Sequence, residues 1–144
     1  MLGVKCGCND AFIVTATGSE HGLVCVEHRG RTGALEGSVL RPLLRGDAVA
    51  PWRVPPSNRA IVWTHAGAGA PLATLPAAAA RWLAPWRTRL RARADLRGAG
   101  IWWMLFRTEA ADCTRTRVVW SDFGRAPRAA ILAPGDPKIG RAHV

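Results

Sequence analysis

The sequence shows no long hydrophobic run and no visible pattern of a secretory signal. Its longest apolar stretch, residues 101–106, has the length of a strand and falls far short of the roughly 20 residues that a membrane span needs. The first residues show no charged start followed by an apolar segment and a small-residue cleavage site. We therefore expect a cytoplasmic protein with no membrane partner, in which the 4 cysteines stay reduced.

Lysine is almost absent, and tyrosine is absent altogether. Lys5 and Lys138 are the only lysines among 20 basic residues, so arginine supplies nearly all of the net charge of +10. Such a charge favours a polyanionic partner, because each neutralised phosphate releases a condensed counterion. Arginine-rich and alanine-rich usage is also what a GC-rich genome produces without selection for binding, and the composition leaves both explanations open.

Short apolar runs and one helical stretch predict an α+β fold for these 144 residues. Runs rich in β-branched residues predict strands, with a turn at residues 18–19, a polar loop over 30–37 and an interruption at Pro42. The strands predicted from these runs are 11–15, 22–27 and 60–63. Three further short apolar segments follow at 101–106, 118–120 and 129–132.

The clearest helix is predicted to start near Thr74, which can cap it, with Pro76 in the first turn. Apolar residues recur at three- and four-residue steps, and Pro85 must bend or split the helix. We expect short mixed or antiparallel strands around this one kinked helical segment, and most of the 7 tryptophans in the core. The apolar stripe of the helix comprises Leu75, Ala79, Trp82, Leu83, Trp86 and Leu90.

Two early segments carry a family resemblance: residues 2–13 (LGVKCGCNDAFI) and residues 40–47 (LRPLLRGD), the second followed by Trp52. They resemble the target-recognition (specificity) region of adenine-specific DNA methyltransferases, notably those of type IIG restriction–modification enzymes. In that family a Gly-(Ile/Val)-Lys-Thr-Gly-x-Asn-x-Ala-Phe segment precedes a short strand. A Lys/Arg-Pro-x-Leu-Arg-Gly-Arg/Asp-Asp segment then precedes a Trp. Cys6 departs from the pattern, since the family usually has Thr there.

Three later pieces resemble the same specificity regions in the same order: residues 90–93 at the end of a basic helix, 102–107 (WWMLFR) and 118–124 (VVWSDFG). The resemblance implies a partial specificity domain of a bacterial enzyme that binds double-stranded DNA. It also implies a catalytic methyltransferase domain elsewhere in the same parent chain, with S-adenosylmethionine as its cofactor.

The chemistry of methyl transfer is missing from this chain. The family's catalytic (Asn/Asp/Ser)-Pro-Pro-(Tyr/Phe) motif has no counterpart, because the only Pro-Pro pair lies between Val54 and Ser57. The glycines at 67 and 69 do not form a cofactor loop, since Pro71 blocks a helix start there. We therefore expect no cofactor in this fragment and no methylation by it alone. A stand-alone basic nucleic-acid-binding module without a catalytic role is the alternative.

The resemblance places several basic and amide side chains in loops that would face DNA. Arginine is the best reader of a base edge because its planar fork matches the two acceptors of guanine. The competing interpretation is a solvated side chain, or one that orders its own loop. The candidate DNA-binding residues are Lys5, Asn9, Arg41, Arg45, Arg107, Arg125 and Arg128.

A metal site and a cysteine nucleophile are weaker alternatives. Cys6, Cys8, Cys25 and His28 offer four ligands, but their spacing is unusual for structural zinc, and buried or incidental thiols are favoured. We expect no metal and no catalytic residue. The arginines of residues 87–93 are expected on a solvated helix face or along a phosphate backbone.

The last six residues, 139–144 (IGRAHV), match no part of the family's continuation. They are what a common short-read sequencing adapter encodes in one frame. We therefore expect a partial DNA target-recognition domain over residues 1–138, followed by an adapter translation over 139–144 that is not native.

Overall fold

The computed structural model describes residues 3–44, 49–96, 98, 100–121 and 128–140. Within these residues eight strands form two sheets, and a kinked helical segment covers one of them. The α+β class predicted from the sequence is thereby confirmed. The strands are β1 (Ile13–Glu20), β2 (Leu23–His28), β3 (Arg31–Glu36), β4 (Leu40–Leu44), β5 (Arg59–Val62), β6 (Arg117–Trp120), β7 (Ala129–Leu132) and β8 (Ile139–Gly140).

The larger sheet has six strands in the order β3-β2-β1-β5-β4-β8, and β6 and β7 form a separate antiparallel hairpin. All pairings in the larger sheet are antiparallel except that of β4 with β8. Ile139 of β8 is fully buried, and the backbone N–H of Val4 donates to the carbonyl of Gly140 at 3.1 Å. The two ends of the described chain therefore meet at one edge of the sheet.

Tight turns join β1 to β2 and β2 to β3. His21–Gly22 and Arg29–Gly30 all have positive φ, the backbone that two-residue hairpin turns require. The turn predicted at residues 18–19 is wrong, because β1 continues through them with a register shift between Ala16 and Gly18. The loop predicted over 30–37 is also wrong, since most of it is strand β3.

Pro42 lies inside β4 instead of ending it. It pairs with Ala60 at the last position of the β4–β5 ladder, and the next residues, Leu43 and Leu44, pair with β8. A proline cannot donate to a ladder, so this changeover point is where a strand tolerates it.

The helical segment comprises α2 (Ala77–Leu83), a 3₁₀ turn at Ala84–Trp86 and α3 (Arg87–Arg91). The break predicted at Pro85 is confirmed, because Pro85 lies within the 3₁₀ turn. The cap predicted at Thr74 is wrong. The carboxylate of Glu36 accepts hydrogen bonds from the N–H groups of Ala78 and Ala79 at 2.7 and 3.0 Å, so β3 supplies the cap.

The core lies between the larger sheet and the helices. A short helix, α1 (Asn9–Phe12), leads into β1, and its Ala11 carbonyl accepts the indole N–H of Trp82 at 2.9 Å. Trp63 and Trp102 are buried as expected, but Trp52 and Trp120 are 86% and 51% exposed. The strand predicted at 101–106 is wrong, because the backbone turns at Trp102 and only Phe106 forms a bridge.

Candidate nucleic-acid interface

Arg93 ties three separate backbone segments together. Its guanidinium donates to the carbonyls of Cys6, Trp102 and Met104 at 2.6, 2.7 and 2.9 Å, and lies 4.9 Å from the ring of Phe106. Burial lowers the pKa of Arg93, although arginine remains charged at neutral pH. A solvated or phosphate-facing position is therefore wrong for this residue, which is a strut under the candidate surface.

Lys5 and Arg107 are brought together by a backbone bridge. The N–H and carbonyl of Lys5 both bond to Phe106, each at 2.9 Å, and Arg107 is the next residue. The Lys5 ammonium lies 2.7 Å from a carboxylate oxygen of Asp95. Arg107 is exposed and has a φ of 56°, the left-handed region that a long side chain rarely adopts. Two of the predicted DNA-binding residues thus lie on backbone segments that are bridged to each other.

Asn9 and Asp10 open helix α1 beside the same N-terminal segment. Asn9 is exposed, and its Oδ1 accepts the thiol of Cys6 at 3.2 Å. Asp10 lies 3.0 to 3.2 Å from His28, Arg29 and Arg89, and its hydrogen bond with His28 does most to lower the pKa of this carboxyl. Asp10 therefore links α1, the β2–β3 turn and α3.

The exposed side of α3 is basic. Arg87, Arg89 and Arg91 are all exposed there, and Arg89 makes its ion pair with Asp10 while lying 5.8 Å from the ring of Trp86. Three guanidinium groups along one short helix suit contacts with successive phosphates, which position a duplex without reading its sequence.

Arg41 is partly tied down within the fold. Its guanidinium lies 4.6 Å from the ring of Trp63, and Nη2 donates to the carbonyl of Gly67 at 3.3 Å. Burial is the main cause of its lowered pKa, and the nearby Arg117 lowers the pKa further. The stacked side chain is half-buried, so only part of Arg41 faces solvent.

His65 supports the loop that Arg41 contacts. Its Nδ1 lies 2.7 Å from the carbonyl of Gly69, and its Nε2 accepts the backbone N–H of Leu105 at 2.8 Å. These partners require a neutral ring protonated on Nδ1. Burial lowers the pKa of His65, against the opposing effect of the Gly69 carbonyl. The sequence offered no signal for this role, because both partners are backbone groups.

Of the remaining predicted residues, the structure describes Arg128, which lies beside the β6–β7 hairpin. Arg128 is exposed just before β7, and its carbonyl accepts the N–H of Ser121 at 3.0 Å. Arg45 and Arg125 lie outside the described residues. The backbone bridge thus brings the segments of Lys5 and Arg107 together, whereas Arg41 and Arg128 lie on other elements.

An exposed apolar face on this hairpin is the feature that sequence reasoning missed. Val118 pairs with Ile131 and Trp120 with Ala129, so these four side chains share one face, and all four are exposed. Trp52 lies beside them, since its N–H donates to the carbonyl of Ala129 at 3.0 Å. The sequence of β6 (RVVW) carried no signal for this face, because its apolar residues are consecutive and do not alternate with polar ones.

No alternative chemistry emerges elsewhere in the described ranges. Within them, no group of three or more His, Cys, Asp or Glu side chains could hold a metal ion. A shallow depression of about 600 Å³ lies against β1, β2 and β3, and includes Glu20, Cys25 and Glu27 in its lining. Two carboxylates make that depression a poor place for a phosphate.

Comparison with known proteins supplies no relative: no family model and no curated protein matches the chain. Among the residues that the structure describes, no helix combines the length and apolarity needed to cross a bilayer.

Proposed function

We propose that this chain is the DNA-reading part of an adenine-specific DNA methyltransferase of a type IIG restriction–modification system. Its work is to hold double-stranded DNA and read its sequence in the cytoplasm. Methyl transfer belongs to a catalytic domain of the same parent chain, which binds S-adenosylmethionine. The resemblance of five ordered segments supports this proposal, while the absence of any matching relative leaves it resting on motifs and geometry.

One observation carries the proposal: the bridge between Lys5 and Phe106. It joins the first family-like segment to the later WWMLFR segment, and so brings the backbone of Lys5 next to the backbone that leads into Arg107. The strut from Arg93 to the Cys6 carbonyl holds the same two segments in register. Close approach of the two segments is what a DNA-reading role requires of residues as distant in sequence as Lys5 and Arg107.

The two side chains suit different tasks. Arg107 is exposed, and its planar fork can donate two parallel hydrogen bonds to guanine O6 and N7. Lys5 is a point charge already paired with Asp95, which suits a phosphate contact made by exchanging one anion for another. The arginines of α3 extend the phosphate-binding surface beyond this pair.

Selection of bound duplexes from a random-sequence pool tests the proposal. Sequencing of the bound fraction should show an enriched motif, and the enriched duplex should stay bound at salt concentrations that release random duplexes. No binding at all would overturn the proposal. The Arg107→Ala variant should lose the preference for one guanine in the motif, whereas Arg91→Ala should weaken binding to every sequence alike.

A sequence-blind basic module is the second candidate, and the exposed arginines of α3 favour it. Its signature is different: the pool should yield no motif, and affinity should fall steeply with salt for every duplex. That result would replace the proposed function with the second candidate.

A further inference from the structure

Trp52 occupies a turn position that suits glycine. Ala50 and Arg53 exchange two backbone hydrogen bonds, at 3.1 and 3.3 Å, around the pair Pro51–Trp52. Proline in the second position and a positive φ in the third, here 64° at Trp52, are the arrangement of a type II turn. Glycine or asparagine is favoured in that third place, because a large side chain crowds the backbone there.

The indole of Trp52 also gains little from the fold, since 86% of the residue is exposed. Three other non-glycine residues have positive φ in the described ranges, and two of them, His21 and Arg29, lie in hairpin turns that require it. Only Trp52 and Arg107 adopt the left-handed backbone outside those turns. A strained backbone that displays a large apolar side chain to solvent costs stability, and such positions cluster at binding sites.

The β6–β7 hairpin adds an exposed apolar face next to the turn that carries Trp52. Trp120 is 51% exposed and pairs with Ala129, whose carbonyl accepts the N–H of Trp52. Val118 and Ile131, 56% and 65% exposed, continue the face away from the turn. The backbones of Trp52 and Trp120 thus lie on either side of Ala129, and no described segment covers the two exposed side chains.

The charges around this face select its occupant. Arg53 and Arg128 are exposed beside Trp52 and Ala129, and the described residues of the hairpin, 117–121 and 128–132, include no carboxylate. A second copy of the chain docked here about a two-fold axis would bring these guanidinium groups against their own counterparts. Nucleic acid instead offers base faces to the indoles and phosphates to the arginines.

We propose that Trp52 is a wedge that stacks on a partly unstacked base step of the bound duplex. This inference rests on the proposed function and names how the same protein would deform its DNA. Arg53 and Arg128 hold the flanking phosphates, so that the indole enters at a fixed position. The strained turn keeps the side chain projecting before DNA arrives, which reduces the ordering cost of insertion.

The variant Trp52→Gly separates binding from folding. Glycine relieves the strained backbone, so the thermal midpoint of the free protein should not fall, whereas affinity for the selected duplex should drop roughly tenfold. Trp52→Phe should restore most of that affinity, because a phenyl ring can still stack. The matched control is His21→Gly, which makes the same backbone change in the β1–β2 turn and should leave affinity unchanged.

A duplex with one mismatched base pair tests the insertion itself. A mismatch lowers the cost of unstacking, so the wild-type protein should bind it more tightly than the intact duplex, and Trp52→Gly should bind the two equally. If the wild-type protein binds the selected duplex but Trp52→Gly retains full affinity, the wedge is wrong and the DNA-reading role stands. If the wild-type protein binds no DNA, both the proposed DNA-reading function and the Trp52 wedge are wrong. A Trp120-dependent dimer in sedimentation, with DNA affinity untouched by either variant, would assign the face to a second copy.

Discussion

The Nη1 atom of Arg93 donates to the carbonyl of Cys6 at 2.6 Å, and this contact fastens the chain just beyond α3 to the glycine-containing N-terminal segment. The same guanidinium bonds two carbonyls of the 101–106 segment. One side chain therefore replaces the ladder partner that these carbonyls would have in a sheet. The contact between the two segments that carry Lys5 and Arg107 therefore depends on the guanidinium of Arg93.

Arg93→Lys should destabilise the fold by about 2–4 kcal/mol, because an ammonium cannot reach carbonyls that diverge across a planar guanidinium and would leave buried acceptors unpaired. Urea unfolding followed by far-UV circular dichroism measures the shift in midpoint. Arg91→Lys, on the exposed side of α3, is the control and should change stability by less than about 0.5 kcal/mol. Equal midpoints for the Arg93 variant and wild type would contradict the strut.

Stability should fall as the pH drops below about 6.5, the ordinary pKa of histidine, because His65 titrates at a lower pH when folded. The unfolded state binds the proton first, so His65 stabilises the fold fully above pH 6.5 and its contribution is lost toward the lower folded-state pKa. Denaturant midpoints measured across this range should show the slope in wild type and a reduced slope in His65→Gln. His21→Gln alters an exposed histidine and should keep the wild-type slope.

Asp95→Asn should strengthen DNA binding by a few-fold, roughly 2 to 5 times, because a carboxylate that competes with phosphate for Lys5 is removed. Fluorescence anisotropy with a labelled duplex at several salt concentrations measures this change. Glu20→Gln makes the same change of net charge at the far end of β1, roughly 23 Å along the strand from its start, and should have a smaller effect. Equal gains for both variants would mean that Lys5 has no special part.

Arg107→Gly should leave stability within about 1 kcal/mol of wild type, because relief of the left-handed backbone opposes the added freedom of the unfolded chain. DNA affinity should nevertheless fall at least fivefold for the selected sequence. Arg29→Gly removes the same side chain from the same backbone conformation in the β2–β3 turn, and should cost less affinity. If Arg29→Gly matches Arg107→Gly, position 107 contributes only net charge.

The α+β fold class could be predicted from the sequence because it depends on the local pattern of residues in each strand and in the helix. Residues 60–63 and 118–120 each contain two β-branched residues, residues 129–132 form a short apolar run, and the split of the helix follows from the missing N–H of Pro85. Strand β3 was hidden because Arg31, Thr32 and Gly33 carry little strand signal. Its order comes from pairing with β2 after a turn at Arg29–Gly30.

The error at 101–106 has a physical cause in Arg93. An apolar run of strand length satisfies its backbone either through a neighbouring strand or through side-chain donors, and local sequence does not distinguish the two. Here the guanidinium takes the carbonyls of Trp102 and Met104, so the segment packs its tryptophans without a ladder. Such a contact across the fold has no sequence signature.

The candidate site, like the fold, was predictable where it depends on local sequence and not where it depends on contacts across the fold. The individual residues Lys5, Asn9, Arg41, Arg107 and Arg128 came from motif resemblance, but the adjacency of Lys5 and Arg107 depends on a long-range bridge. The display of Trp52 was open to prediction in part, since Pro51 favours the second position of a turn. The exposure of Trp52 and the position of its turn beside β7 could not be predicted, because both depend on where the β6–β7 hairpin packs in the fold.

The parallel pairing of β8 with β4 sets an order of events during synthesis. Residues 139 and 140 belong to the segment that the sequence assigned to an adapter translation, yet Ile139 is fully buried and Gly140 accepts the N–H of Val4, so this edge cannot close before the ribosome has released them. The β1–β2–β3 meander, whose turns are two residues long, can assemble earlier from nearby partners. Until translation reaches β8, the nascent chain must carry an open strand edge at Leu43 and Leu44, which is where a chaperone would have the most to protect.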